Sequence, residues 1–212
     1  MKKRKLIGRI VFAIALLFLA SLALPYLLGG KVKTLTAQTA ELETLLGEMA
    51  WVSPGLPGER ALYEISFRTC PSCISYHKTE FPKLQAMGVD TRLFVFARRS
   101  KSTPPEERTV VAELYKTRSW QLSEDWYAHS NPKRYYGKMQ NIPDADGDAA
   151  RTELVETGQR QIRQLMDILT ANDITMATPT LLWQNESGQW RVAIGDNPVT
   201  NAQIRKELGG AK

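Results

Sequence analysis

Cysteine is scarce in this chain: two in 212 residues, both within Cys70-Pro71-Ser72-Cys73. A framework of structural disulfides is therefore excluded. The fold must rest on an apolar core, and the pair is free to cycle between thiol and disulfide. Histidine is equally scarce, at His77 and His129. A structural zinc takes four ligands, so a zinc site on Cys70 and Cys73 would need carboxylates or a second copy of the chain. No metal or cofactor is expected. Acidic residues are missing from the first 30 positions, which hold five bases, Lys2, Lys3, Arg4, Lys5 and Arg9. That tail accounts for most of the formal charge of +6, because the remaining 23 basic residues face 22 acidic ones. No basic cluster stands elsewhere, which removes the electrostatic footprint of a nucleic-acid binder. Strand patterns are absent from Pro104 to Asn172.

What is present begins with an apolar run. Ile10 to Leu28 holds 19 residues without a charge, close to the ~20 that a helix needs to cross a bilayer. Lys31 and Lys33 follow it. The excess of positive charge before the run predicts that the N-terminus stays in the cytoplasm and the rest lies outside. Residues 1–30 are thus expected to be a cytoplasmic tail and a single transmembrane anchor. The alternative is a cleaved signal peptide: Ser21-Leu22-Ala23 is a small-x-small site, although the apolar run continues past it.

Residues 31–58 are expected to form a helical stalk and linker. Leu35, Leu42, Leu45, Leu46 and Met49 fall on one side of a helix over Thr34–Ala50. That face serves a stalk, a helix packed on the domain, or a dimerising seam. Ser53-Pro-Gly-Leu-Pro-Gly58 is a turn-rich break, and the folded domain is expected over 59–212. Ala61–Phe67 reads as a buried strand whose one acid is Glu64. A helix follows from Pro71 to about Met87, reset by Pro82 and ended by Gly88. Thr91–Ala97 is the next strand, so the three elements make a parallel βαβ unit. Residues 103–175 read as a helical insertion, with helices over Glu106–Lys116 and Gly158–Asn172. Trp120, Trp126, Tyr127, Tyr135 and Tyr136 are expected in its core. Asp144-Ala-Asp146-Gly-Asp148 lacks the glycine and glutamate positions of a calcium loop and reads as a polar loop. Thr178–Trp183 and Gln189–Ile194 form a hairpin across Glu186-Ser-Gly188. A helix over Asn201–Leu208 closes the chain.

Cys70 opens a helix, where unpaired backbone N–H groups and the helix dipole favour a thiolate. Cys73, one turn inside, can reach it. Cys70 is the candidate attacking thiolate and Cys73 the resolving thiol of a thiol–disulfide exchange centre. Pro71 and Ser72 add no charge between them. A buried Glu64, six residues before Cys70, would hold a raised pKa and could exchange a proton with Cys73. It could equally face solvent or pair with a base. His77 could tune the pair or stand exposed.

From Leu62 to Leu208 the chain resembles thioredoxin-fold proteins, and within them the periplasmic disulfide isomerase group DsbC and DsbG. The segments carrying the resemblance are Phe67–Cys73, Tyr76–Phe81, Met87–Ala97, Trp120–Ser130, Ala177–Thr180 and Val192–Gly195. The resemblance implies an α/β, thioredoxin-like fold: a central mixed sheet, βαβ then antiparallel hairpin, with the helical insertion and a preceding transmembrane helix. It implies a cis Pro179 beside Cys70, with Thr178 presenting its backbone to an extended client. Glu64 matches the acid of thioredoxin and DsbA rather than the apolar residue of DsbC. Only about 30 residues separate the anchor from the first strand, where the isomerases carry a dimerisation domain. The expectation is a single-pass inner-membrane oxidoreductase of reductase or isomerase type, its C-terminal domain in the periplasm. Its partners would be client proteins with cysteines or disulfides and a membrane redox partner. The competing class is a non-catalytic binding or assembly factor of an envelope apparatus, such as a conjugation or secretion system.

Overall fold

Four strands of the sheet form where apolar and β-branched residues run between turns, as their pattern dictates. In a computed structural model, which describes residues 30–99, 103–128 and 141–209, β2 is Ala61–Ser66, β3 is Asp90–Val95, β4 is Thr180–Gln184 and β5 is Trp190–Ile194. A fifth strand, β1, is Lys33–Thr34. Their order is β1-β5-β4-β2-β3. β2 and β3 are parallel, with Glu64 opposite Leu93, and every other pairing is antiparallel. Val52 adds a single antiparallel bridge to Leu93 at the β3 edge.

The helices are α1 (Thr39–Glu48), α2 (Pro71–Thr79), α3 (Phe81–Ala86), α4 (Pro105–Thr117), α5 (Trp120–Ala128), α6 (Ala149–Thr170) and α7 (Pro198–Gly209). Alternation along β2 sorts them into layers. Glu64 and Ser66 point toward α2 and α5, where Ser66 Oγ meets Tyr127 Oη at 3.0 Å. Trp183, paired with Leu62, donates on that same side to Glu207 of α7. Tyr63 points the other way, against Trp51. On that face Phe94 stacks on Tyr115 of α4, and α4, α6 and α1 pack in succession.

Three expectations change and one is met. Of the readings open to 31–58, the helix packed on the domain holds, and the segment does not stand apart as a stalk and linker. Lys33 and Thr34 pair with Val192 and Arg191, and Leu42, Leu45, Leu46 and Met49 join the common core, so sheet and core begin ahead of residue 59. The helix over Pro71–Met87 is reset by Pro82 as expected, into two helices that meet at Glu80, because Pro82 has no N–H for Lys78 O. The helix of Gly158–Asn172 starts at Ala149, where the Asp148 carboxylate accepts the N–H groups of Ala150 and Arg151. The loop Asp144–Asp148 is accounted for by that cap and by Asp146, which binds Arg108. The closing helix starts at Pro198.

Trp126 and Tyr127 are buried, as expected, and Trp120 packs partly buried against the core. Tyr135, Tyr136 and His129 lie outside the described residues, as does the expected span Ile10–Leu28. Among the described residues no helix is long and apolar enough to cross a membrane.

Candidate functional site

The turn Phe67–Cys70 carries the chain from the end of β2 into α2, with Cys70 N–H bonded to Phe67 O at 3.1 Å. Cys70 is the N-cap of α2 in extended conformation, and Pro71 follows as the first helical residue, where its missing N–H costs nothing. Cys70 and Cys73 form a disulfide with their Cα atoms 5.2 Å apart. Pro71 is exposed and Ser72 half-buried. Cys73 is sealed, and Cys70 keeps 3% of its surface, so Cys70 is the less enclosed of the two.

Thr178 and Pro179 are 108 residues further on, joined by a cis peptide bond at the start of β4. Gly195 N–H bonds to Pro179 O at 2.8 Å and ties this loop to β5. Three donors surround the Cys70 sulfur. Cys73 N–H lies 3.2 Å away, the Ser72 hydroxyl 3.3 Å and the Thr178 hydroxyl 3.4 Å. The Ser72 hydroxyl also stands 3.4 Å from Thr178 O and shares its one proton between the two. Thr178 O is 3.6 Å from the sulfur. In the disulfide Cys70 has no proton to donate, so that approach is a contact, and it becomes a hydrogen bond only for the thiol. The three donors favour a negative charge on this sulfur.

Glu64 sits in the interior between Leu93 and Leu181. It is fully buried, and neither carboxylate oxygen accepts a hydrogen bond. Among the described residues no base pairs with it. Burial, and then the nearby Asp196, hold its carboxyl well above the usual range. Its field reaches Tyr76 of the cysteine helix and Tyr127 of α5, whose hydroxyls are also pushed up chiefly by their own burial. The acid therefore belongs to the interior behind the first turns of α2.

His77 departs from the exposed position open to it. It is buried among Phe81, Trp120 and Tyr127, with ring centres 5.0, 5.8 and 4.4 Å away. Its Nε2 stands 3.1 Å from Glu124 Oε1, within ion-pair reach but off the line of a hydrogen bond. Three charged residues near the site escape the sequence pattern. Arg68, in the turn before Cys70, is buried; its Nη2 donates to Trp126 O at 2.9 Å and its guanidinium lies over Trp126 and Tyr127. Arg98 donates to Thr69 Oγ1. Glu107 of α4 is fully buried. A base at position 68, next to a strand that ends in the cysteine turn, is the one signal that could have found this group.

No protein-family model matches the chain, and no curated protein sequence matches it. Solved structures share its architecture at low identity. It is similar to a periplasmic thioredoxin-like protein from Salmonella enterica serovar Typhimurium, at 14% identity and a TM-score of 0.50, covering 82% of this chain and 99% of that one. It is similar to a linker-deleted variant of Proteus mirabilis ScsC, at 12% identity and a TM-score of 0.50 over 96% and 90% of the two chains. The thiol-disulfide exchange protein alpha-DsbA2 from Wolbachia pipientis matches at 10% identity and a TM-score of 0.50, over 79% and 92%. The fold is thioredoxin-like α/β, with a mixed sheet, a helical insertion between β3 and β4, and a Cys-x-x-Cys disulfide at a helix start.

Proposed function

We propose that this chain is a thiol–disulfide oxidoreductase acting on client proteins through Cys70 and Cys73. The observation that carries the reading is the convergence of three hydrogen-bond donors on the sulfur of Cys70, the less enclosed of the two cysteines, at the N-terminus of a helix. In the reduced protein the Cys70 thiolate attacks a client disulfide. A bond forms between Cys70 Sγ and one client sulfur, and the other client sulfur leaves as thiolate. Cys73 then attacks Cys70 Sγ, releasing the first client thiol and closing the Cys70–Cys73 disulfide. Two electrons and two protons pass to the client. The reverse sequence oxidises a client dithiol. Glu64 takes the proton from Cys73 as it attacks and returns it when Cys73 leaves, a task suited to a carboxyl raised by burial. An extended client lies along the backbone of Thr178, beside Cys70.

The reading extends to a membrane-anchored enzyme of reductase or isomerase type facing the periplasm, drawing on a membrane redox partner. Its support is the basic start followed by the apolar run Ile10–Leu28, together with the periplasmic description of the Salmonella structure. The test is Cys73→Ala expressed in cells. Dithiothreitol-sensitive adducts with envelope proteins, lost again in Cys70→Ser, are the expected result. A Cys73→Ala protein that folds and accumulates no adducts sinks the reading.

A further inference from the structure

Besides Arg68, two charged groups stand near the exchange site without a part in the steps above. Arg98 follows β3, and its Nη2 donates to Thr69 Oγ1 at 3.2 Å while its guanidinium stands 4.5 Å from the Phe67 ring centre. Phe67 and Thr69 belong to the turn that delivers Cys70. A permanent positive charge is thus braced on the residue next to the nucleophile, where Pro71 and Ser72 supply none. Glu107 lies in the first turn of α4, out of reach of solvent, and among the described residues neither of its oxygens accepts a hydrogen bond. Burial pushes its carboxyl up to about 7, against the pull of Arg98, Arg68 and Arg108.

The other charged and titratable groups around Glu107 are engaged. Arg108 is bound to Asp146 and to Thr103 O. Arg68, from the cysteine turn, donates to Trp126 O. Tyr127, from α5, is bonded to Ser66. Arg151, from α6, is held by Glu113 and Thr109 O. With no hydrogen bond to its oxygens, Glu107 acts on its surroundings through its charge.

We propose that Arg98 and Glu107 are positioning residues of the exchange site: Arg98 sets a positive charge against the turn into Cys70 and favours its thiolate, and the Glu107 carboxyl behind it offsets that charge when ionised. A guanidinium stays charged at every working pH, and a nearby cation stabilises a thiolate. The adjustable member is Glu107. Protonated, it leaves the field of Arg98 intact; ionised, it cancels part of it. As pH rises through neutrality, the advantage of the Cys70 thiolate shrinks and the pair becomes more reducing.

The inference rests on the exchange reading, and its test uses the reduced full-length protein without a client. The thiolate is followed by its ultraviolet absorbance and by alkylation with iodoacetamide across pH, and the reduction potential by equilibration with glutathione. Arg98→Gln is expected to lower the thiolate fraction at neutral pH by about threefold and make the pair more reducing. Glu107→Gln is expected to raise that fraction by a similar factor and to remove the inflection near neutrality. Arg98→Lys, which keeps the charge, should titrate like the parent. The inference is overturned if folded Arg98→Gln and Glu107→Gln titrate like the parent, or if Arg98→Lys shifts as far as Arg98→Gln. Should Arg98→Gln not fold, an unshifted Glu107→Gln overturns it alone. A parent protein that neither exchanges with glutathione nor traps clients defeats the exchange reading; normal exchange with unmoved variants defeats only this one.

Discussion

Thr178→Val removes one of the three donors at the Cys70 sulfur and leaves the shape of the side chain nearly unchanged. The hydroxyl lies 3.4 Å from the sulfur. A hydrogen bond to a charged group contributes about 1.5–3 kcal/mol, and the long contact to sulfur places this one at the lower end, about 1.5 kcal/mol. The disulfide sulfur, a weak neutral acceptor, gains much less from the same donor, so the loss falls mainly on the reduced protein. The thiolate population should drop about tenfold relative to the thiol. For a two-electron couple about 30 mV corresponds to 1.4 kcal/mol, so the pair should become more reducing by roughly 30 mV. The assay equilibrates parent and variant against graded glutathione ratios and fits the oxidised fraction. Iodoacetamide rates across pH report the thiolate independently. If Thr178→Val folds with an unchanged potential and alkylation profile, the donors around Cys70 do not govern its chemistry.

Other perturbations give distinct signatures. Burial raises the Glu64 carboxyl, so its folding contribution is fully present below the ordinary carboxylate range and is lost as pH rises through the folded-state value. Glu64→Gln should therefore match the parent in urea midpoint at acid pH and exceed it increasingly above; parallel curves would refute this. The same variant should slow release of the mixed disulfide in stopped-flow quenching while leaving the first attack by Cys70 intact, and slowing of both steps would point to a packing defect. Gly158 of α6 has no room for a side chain, since a Cβ there would meet the Tyr115 ring at 2.4 Å. That ring is pinned by its hydroxyl on Val95 O at 3.0 Å. Gly158→Ala should cost about 1–3 kcal/mol by overpacking, read as a fall in calorimetric Tm of several degrees; an unchanged Tm would show that α4 and α6 can part freely.

The unit that carries the cysteines was legible because it is local. An apolar strand, a Cys-Pro start and a Gly stop each signal themselves within a few residues, and Thr-Pro before a strand did the same for the facing loop. Glu64 was half legible: its strand marked it as interior, but only the tertiary packing shows that no base among the described residues comes to meet it. β1 was not legible, because two residues carry no periodicity and become a strand only through Val192 and Arg191. His77 misled for a related reason. The buried stripe of α2 is Cys73, Tyr76 and His77, and the right spacing is filled by residues that do not read as apolar. Arg68, Arg98 and Glu107 come from three separate elements, and nothing in any one of them announces the others.

The two edges of the sheet have a consequence for the way another chain can meet this one. β1 covers β5 at one side, and at the other Val52 and Leu93 exchange both backbone hydrogen bonds, at 2.9 and 2.8 Å, in the middle of β3. An open edge would offer every passing extended segment a ladder to join. Here one margin is occupied and the other interrupted, so an extended chain finds little continuous ladder along the sheet. Under the exchange reading proposed above, the Thr178 loop beside the Cys70 sulfur is then the place that holds a client's backbone, and a contact made there can end when the sulfur–sulfur bond does.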